Sequence, residues 1–400
     1  MTKKENIYVC GPTVYDYIHI GNLRPILTID ILNRVKKYFK YELFFLHNIT
    51  NIDDKIIKKA ILENKTEAEI SEFYYKDYMK KLKLFNIQKP TKIVKVTNEL
   101  NTIKNYIYLL QKQGFTYQEN DDLYFNTSKV KNYGHISGQK INSLVSSSKT
   151  QYKSNANDFV LWKKTTLGIK YYSLLGLGRP GWHTECSALI FKYFNKQTID
   201  IHSGGIDLIF PHHENENAQH FALTKKNITK KWVHVGQIKI NNEKMSKSLN
   251  NVFLVDNFVE KYHPDVYRHI LLTSSISGPI DLTNELLEAN KNKIIQYKKA
   301  FFEHLINPRK SLKKVYNPIL KLFLQSKFAQ ANKELNLLLK NKDYANLSFI
   351  FNVLGFIFAT KKLNKTDFAL LEKWKKVKSE KNYQKADKIR EKLWNKFIFS

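Results

Sequence analysis

An α/β fold with a parallel, doubly wound sheet is predicted by three features of the first hundred residues. The apolar run IYVC, residues 7–10, leads through the loop GPTVYDYIHIGN into a helical pattern. In that pattern Leu27, Ile31, Val35 and Phe39 recur every four residues, with Pro25 in the first turns. A second apolar run, ELFFL, precedes DDKIIKKAILEN, which opens a second helix with acids at its positive end. Alternation of this kind implies parallel strands with a ligand site at their carboxyl ends.

The texture then changes. Residues 1–110 read as the first half of a nucleotide-binding domain. Residues 111–160 read as an insertion, with the hairpin-like QGFTYQENDDLYFNTSKV followed by a polar, serine-rich connection. Alternation resumes at GWHTECSALIFKYF and QTIDIHSGG, so residues 161–235 read as the second half. A lysine-rich, amphipathic region begins near residue 286 and predicts an all-α bundle over 286–365, with one or two more helices over 366–400.

With 42% hydrophobic and 13% aromatic residues, the composition is that of a globular protein and excludes a disordered chain. The N-terminus lacks the apolar core of a signal peptide, and no run of about 18 apolar residues occurs. The protein is therefore expected in the cytoplasm, away from membranes. A net charge of +30 points to a polyanionic partner or, equally, to a lysine-rich coding bias. Only six of the 66 basic residues are arginines, and a guanidinium fork is not replaceable by lysine, which singles out Arg24 and Arg179. The two cysteines, Cys10 and Cys186, are either small buried hydrophobes or two ligands of one metal.

Two short segments carry phosphate chemistry. KINNEKMSKSLNN, residues 239–251, contains the KMSKS run Lys244, Met245, Ser246, Lys247 and Ser248. Its lysines can neutralise charge that builds up on an attacked α-phosphate. His19-Ile20-Gly21-Asn22 lies where the first strand passes into the first helix. A helix N-terminus there offers N–H groups and a positive dipole to phosphate oxygens, and Gly21 lets a base approach the backbone. Read alone, each segment could be a polar surface turn; together they reinforce one another.

HIGN followed by KMSKS resembles the class I aminoacyl-tRNA synthetases. YVCGPTVYDYIHIGNLRP, HNITNIDDKI, DFVLWK, GRPGWHTECSA and DLIFPHHENENAQ resemble the cysteine-specific family, in a short form reduced at both ends. The likeness is dense over about residues 6–285. Beyond that it rests on KYHPDVYRHILLTSS and NYQKADKIREKL. One departure is Leu174-Leu175, where the family has proline-tryptophan.

The resemblance implies a Rossmann-like catalytic domain that joins L-cysteine to tRNA(Cys) with ATP and magnesium, through an adenylate. It places Gly11, Pro12, Thr13, His19, Ile20, Gly21 and Asn22 in the nucleotide loop, and adds Asp207 and Lys247 to the ATP contacts. His19, Asn22, Lys244 and Lys247 would be catalytic. Thr50, Trp182, His183 and His202 would form the cysteine pocket, with a core role as the lesser alternative for Trp182. His212 and Glu216 are four apart, hence on one helix face, and with Cys10 and Cys186 make a donor set that suits one zinc per chain. The resemblance assigns the same four ligands. Four protein ligands usually close a zinc site, so accepting a substrate sulfur requires a fifth ligand or a loosened Glu216.

Two other readings stay open. One is a related ligase that passes cysteine to a small amine. The other is a non-catalytic, zinc-containing RNA-binding relative. Residues 236–285 are expected to meet the tRNA stem, and 286–365 to bind tRNA. Because little follows the ADKIREKL helix, residues 366–400 read as a shortened anticodon region. Weak dependence on the anticodon is expected, with Trp374, Tyr383 and Trp394 serving mainly in packing. A monomer is expected.

Overall fold

The computed structural model describes residues 2–138, 153–245 and 251–398. The chain forms two compact units that interleave along the sequence. The first comprises Met1–Ile18, Tyr41–Lys80 and Lys89–Gln237; the second comprises His19–Lys40, Lys81–Gln88 and Ile238–Ser400. No helix among the described residues is long and apolar enough to cross a membrane.

In the first unit, β1 (Lys4–Val9), β2 (Glu42–Ile49) and β3 (Lys92–Lys95) start a parallel sheet. A separate antiparallel sheet follows, made of β4 (Thr116–Glu119), β5 (Asp122–Phe125), β6 (Phe159–Lys164), β7 (Tyr171–Ser173) and β8 (Gly176–Pro180). The chain then returns to the first sheet with β9 (Ile199–Gly205) and β10 (Thr229–Val235), for a final order β10-β9-β1-β2-β3. All pairs in that sheet are parallel, with Ile7 of β1 aligned to Phe45 of β2 and Ile201 of β9.

The antiparallel sheet runs past residue 160, where the texture of the sequence suggested a boundary. The apolar residues of β6 are the reason: Phe159 pairs with Phe125 and Trp162 with Leu123, and β8 then pairs with β6. Residues 161–180 thus belong to the same sheet as the hairpin of residues 116–125.

Along the chain, α1 (Ile20–Tyr38) belongs to the second unit. It precedes α2 (Asp54–Glu63), α3 (Glu67–Leu84), α4 (Leu100–Lys112), α5 (Trp182–Tyr193) and α6 (Glu214–Thr224). Asp53 caps α2, its side chain accepting from the Lys55 N–H. Helices α4, α5 and α6 share a core with the antiparallel sheet, built from Tyr106, Leu110, Phe125, Trp162, Ala188 and Ala222. A second core, with Tyr8, Leu46, Val94, Leu189 and Ile190, joins the parallel sheet to α5.

The second unit contains β11 (Ile238–Ile240), β12 (Glu243–Lys244) and β13 (Ile280–Asp281), in the order β12-β11-β13. Its later helices are α7 (Val255–Lys261), α8 (Pro264–Thr273), α9 (Asn284–Ile306), α10 (Lys313–Leu324), α11 (Phe328–Lys340), α12 (Tyr344–Leu354), α13 (Lys365–Ser379) and α14 (Tyr383–Ile398). Helix α1 packs against α8, α10 and α12. Buried charge ties them together: Arg268 donates to Asp30 Oδ2 at 2.8 Å, to Leu354 O at 3.0 Å and to Phe85 O at 2.7 Å. Arg34 meets the same Asp30 oxygen at 2.9 Å. Helices α13 and α14 close on α9, with Trp374 buried and Trp394 edge-on to Phe302 at 5.3 Å, whereas Tyr383 is exposed.

Candidate metal centre and motif loops

Strand order reverses at β1. The chain adds β2 and β3 on one side and returns with β9 and β10 on the other, which opens a crevice beyond the strand ends. Cys10 is the first residue past β1, and its N–H donates to Ser203 O of β9 at 3.1 Å. The next position has room only for glycine. A Cβ at Gly11 would lie 1.6 Å from Asn48 O, and the Gly11 N–H donates to Asn48 Oδ1 at 2.7 Å. Pro12 and Thr13 run beside the end of β2, where the Thr50 N–H donates to Pro12 O at 3.2 Å.

Cys186 comes from the second turn of α5, and His212 and Glu216 flank the start of α6. With Cys10 Sγ, their ligand atoms all lie within 4.8 Å of one another. Cys186 Sγ is 3.6 Å from His212 Nε2, which is 2.7 Å from Glu216 Oε1. An overlapping group joins Cys10 and Glu216 to His202 and His213. His202 Nε2 holds Glu216 Oε2 at 2.6 Å, and Cys10 Sγ lies 3.5 Å from His213 Nε2. Two thiols, an imidazole and a carboxylate converging in a buried place fit zinc by donor chemistry.

Burial and the neighbouring Cys186 push the Cys10 thiol well up. Burial also opposes ionisation of Cys186, but hydrogen bonding with Cys10 and His212 prevails and brings it down to about 6. His212 is the counterpart: burial disfavours its charge, yet Glu216 and Cys186 raise it to about 10. Between His202 and His212, Glu216 stays well below the usual carboxylate range despite its burial.

Aromatic and polar groups surround this centre. Trp182 stacks on His212 with centroids 4.2 Å apart, and His183 Nδ1 is 3.1 Å from His212 Nδ1. Trp232 lies against His202 and His213 at 4.5 and 4.8 Å. His213 Nδ1 meets His234 Nε2 at 2.9 Å. Thr50 Oγ1 donates to Glu185 Oε2 at 2.9 Å, and burial holds the Glu185 carboxyl well above its ordinary value. Trp182, His183 and Glu185 line a cavity of about 310 Å³ with Asp53, Asp54 and Arg179. Arg179 donates to Asp54 Oδ1 at 2.7 Å and Thr165 Oγ1 at 3.0 Å.

The motif loops lie in the second unit. His19 is the residue before α1, and its N–H donates to Asn22 Oδ1 at 3.0 Å, so Asn22 works as a helix cap. The Ile20 N–H donates to Phe253 O at 3.0 Å, and His19 bridges to Leu254. Lys244 ends β12. Met245 is buried, and its Sδ accepts from the Phe253 N–H at 3.3 Å. A Cβ on Gly21 would sit 3.1 Å from Met245 Cε. Ser246, Lys247 and Ser248 lie outside the described residues. Asp207 is exposed in the turn Ile206–Leu208 that follows β9 of the first unit.

The tRNA synthetases class I (C) catalytic domain model matches residues 1–292. The chain is 50% identical over 396 residues to a cysteine–tRNA ligase of Mesomycoplasma hyopneumoniae strain J, covering 99% of this chain and 97% of the relative. It is 41% identical over 424 residues to the cysteine–tRNA ligase of Malacoplasma penetrans, covering 98% and 95%. The chain belongs to the cysteine-specific class I tRNA synthetases. Methionyl-tRNA synthetase of Mycobacterium tuberculosis, solved with methionyl-adenylate, superposes on this synthetase with a TM-score of 0.66 at 13% identity, over 99% of this chain and 92% of that one. A LeuRS ternary complex from Agrobacterium radiobacter K84 gives 0.65 at 9% identity, over 88% and 84%. Those two likenesses are of fold.

In this synthetase Cys10, Cys186, His212 and Glu216 come together, with Trp182, His183 and His202 against them. Thr50 is linked to α5 through Glu185. Sequence reasoning passed over Glu185, Asn48, Trp232 and His234. Glu185 directly precedes Cys186, and Asn48 stands two residues before Thr50, so proximity to motif residues was a usable signal. Trp232 and His234 alternate along β10, which puts them on one face of the sheet.

Proposed function

We propose that this synthetase activates L-cysteine with ATP to cysteinyl-adenylate and transfers it to tRNA(Cys). It acts as a cytoplasmic monomer with one zinc per chain and magnesium on the ATP phosphates. The convergence of Cys10, Cys186, His212 and Glu216 within 4.8 Å carries this reading. Cys10 and Cys186 would contribute thiolates, His212 its imidazole and Glu216 its carboxylate. A zinc held by these four residues would favour the deprotonated form of a thiol, the chemistry that would separate cysteine from serine at neutral pH. His202 keeps the second Glu216 oxygen partnered, and Trp182 orients the His212 ring. A pocket that excluded larger side chains by size alone would discriminate by only roughly 1–3 kcal/mol per small group.

In the first step a cysteine carboxylate oxygen attacks the α-phosphorus in line, and the bond to pyrophosphate breaks. The N-terminus of α1 and His19 would meet the phosphates, Gly21 would let the nucleotide approach the backbone, and Lys244 and Lys247 would offset the charge that develops. A ribose hydroxyl at the tRNA 3′ end then attacks the adenylate carbonyl and releases AMP. The lysine-rich helices hold the tRNA by its phosphates. Pyrophosphate exchange with each amino acid in turn tests the proposal. Exchange that depends on cysteine supports it; none with cysteine, or equal exchange with serine, overturns it.

A further inference from the structure

Arg24 has no part in the reaction just outlined, yet it is one of only six arginines and is 2% exposed. It lies on α1, two residues past HIGN. Its Nη2 donates to three backbone carbonyls, Ser275 at 3.2 Å, Ile276 at 3.1 Å and Gly278 at 2.7 Å. Burying a cation to gather carbonyls is costly when an apolar side chain would fill the same space. The bonds must therefore do something that packing alone does not.

The loop they hold leads directly into β13. That strand pairs in parallel with β11, Ile280 beside Ile238 and Asp281 beside Lys239, and the Leu282 N–H donates to Lys239 O at 2.9 Å. Strand β11 turns back at Asn241 and Asn242, both with positive φ (50° and 67°), and pairs with β12, Ile240 opposite Glu243 and Lys239 opposite Lys244. Asp281 Oδ2 also accepts from the Asn242 N–H at 2.9 Å, which pins the turn. Strand β12 ends at Lys244, the first residue of KMSKS. An unbroken line of bonds thus runs from the HIGN helix through Arg24, the loop 275–278, β13 and β11 to β12, which ends at the first residue of KMSKS. On the other side, Met245 takes the Phe253 N–H while Phe253 O takes the Ile20 N–H, so a second tie reaches the start of the same helix.

We propose that Arg24 is a positioning residue for adenylation: it fixes the strand leading into KMSKS relative to the helix that begins with HIGN. Two phosphate-binding segments that share one transferring phosphate must be held to within a fraction of an ångström, and a buried arginine bonded to three carbonyls restrains one against the other. The proposal rests on the adenylation reading above. Arg24 acts through the loop carbonyls it holds, so its loss is expected to act on the rate of the chemical step and to leave cysteine binding alone.

The test uses the full-length enzyme with Arg24→Met, Arg24→Lys and, further along the same line, Asp281→Ala. Arg24→Met keeps the apolar shaft and should lower the kcat of cysteine-dependent pyrophosphate exchange by roughly 10–100-fold, the scale of a displacement near 1 Å. The cysteine KM and the zinc content should stay within about twofold of wild type. Arg24→Lys, which keeps a cation with three donors, should recover part of the loss. If Arg24→Met fails to fold, Asp281→Ala, in β13 where the side chain pins the Asn241–Asn242 turn, should still show the same lowered kcat at unchanged cysteine KM. A folded Arg24→Met enzyme with wild-type kcat overturns the proposal, as does a loss confined to cysteine KM or a wild-type kcat for Asp281→Ala. Absence of exchange in the wild type would instead overturn the adenylation reading.

Discussion

Cysteine and serine differ by one atom, so the selecting residues must sense sulfur itself. Cys10 and Cys186 are the only thiols of the chain, and they meet beside His212 and Glu216. Cys10→Ser or Cys186→Ser should therefore abolish metal and cysteine binding together, read by elemental analysis and by calorimetry with cysteine. Full zinc retention at unchanged cysteine affinity in either variant would dismiss the ligand assignment. Thr50 makes a different kind of contribution. Its hydroxyl donates to the buried Glu185 carboxyl, and Thr50→Val would leave that acceptor short of a donor. The expected cost is about 1–3 kcal/mol in unfolding free energy, with zinc content unchanged, measured by urea denaturation.

Helix α1 carries three separate duties along one element. Its first residues present HIGN, Arg24 grips the loop 275–278, and Asp30 sits beneath Arg34 and Arg268. Removing Arg268 would leave Asp30 with half its neutralising charge and strip the donors from Phe85 and Leu354. Arg268→Met should destabilise the second unit by roughly 3–5 kcal/mol, as for a broken buried pair, seen as a lower urea midpoint. In the proposed reaction the lysines of KMSKS act through charge. Lys247→Ala should slow adenylation by on the order of 10²–10³ while cysteine binding is largely kept. A loss seen chiefly in cysteine affinity would remove Lys247 from that role. HIGN and KMSKS could be read from sequence as short, ordered runs, and the four clustered residues because the chain has only two cysteines and His212 and Glu216 are four apart. The bonds of Arg24 and Arg268 could not, because most of their acceptors are backbone carbonyls, up to 254 positions away, which leave no trace in residue type. The extent of the antiparallel sheet was hidden for a related reason: β7 and β8 are too short to show a period of two.

Across the whole molecule, the parallel sheet and the helical C-terminal region were legible from periodicity, whereas the interleaving of two units along the chain was not. Periodicity describes an element and is silent about which distant element it joins. The net charge of +30 also acts at this scale. If the lysines serve tRNA, affinity for the tRNA should fall by at least on the order of 10²-fold between about 50 and about 200 mM salt. Affinity indifferent to salt would leave the charge to coding bias. Similarity to cysteine–tRNA ligases spans 99% of the chain, helical region included, which argues against an enzyme that serves only a small amine. The most direct test of the account is aminoacylation of a tRNA(Cys) transcript with labelled cysteine and, separately, labelled serine. The account predicts ATP-dependent charging with cysteine, with serine disfavoured far beyond the roughly 10–200-fold that size selection can give. No charging with cysteine, or serine charged within that range, would contradict it.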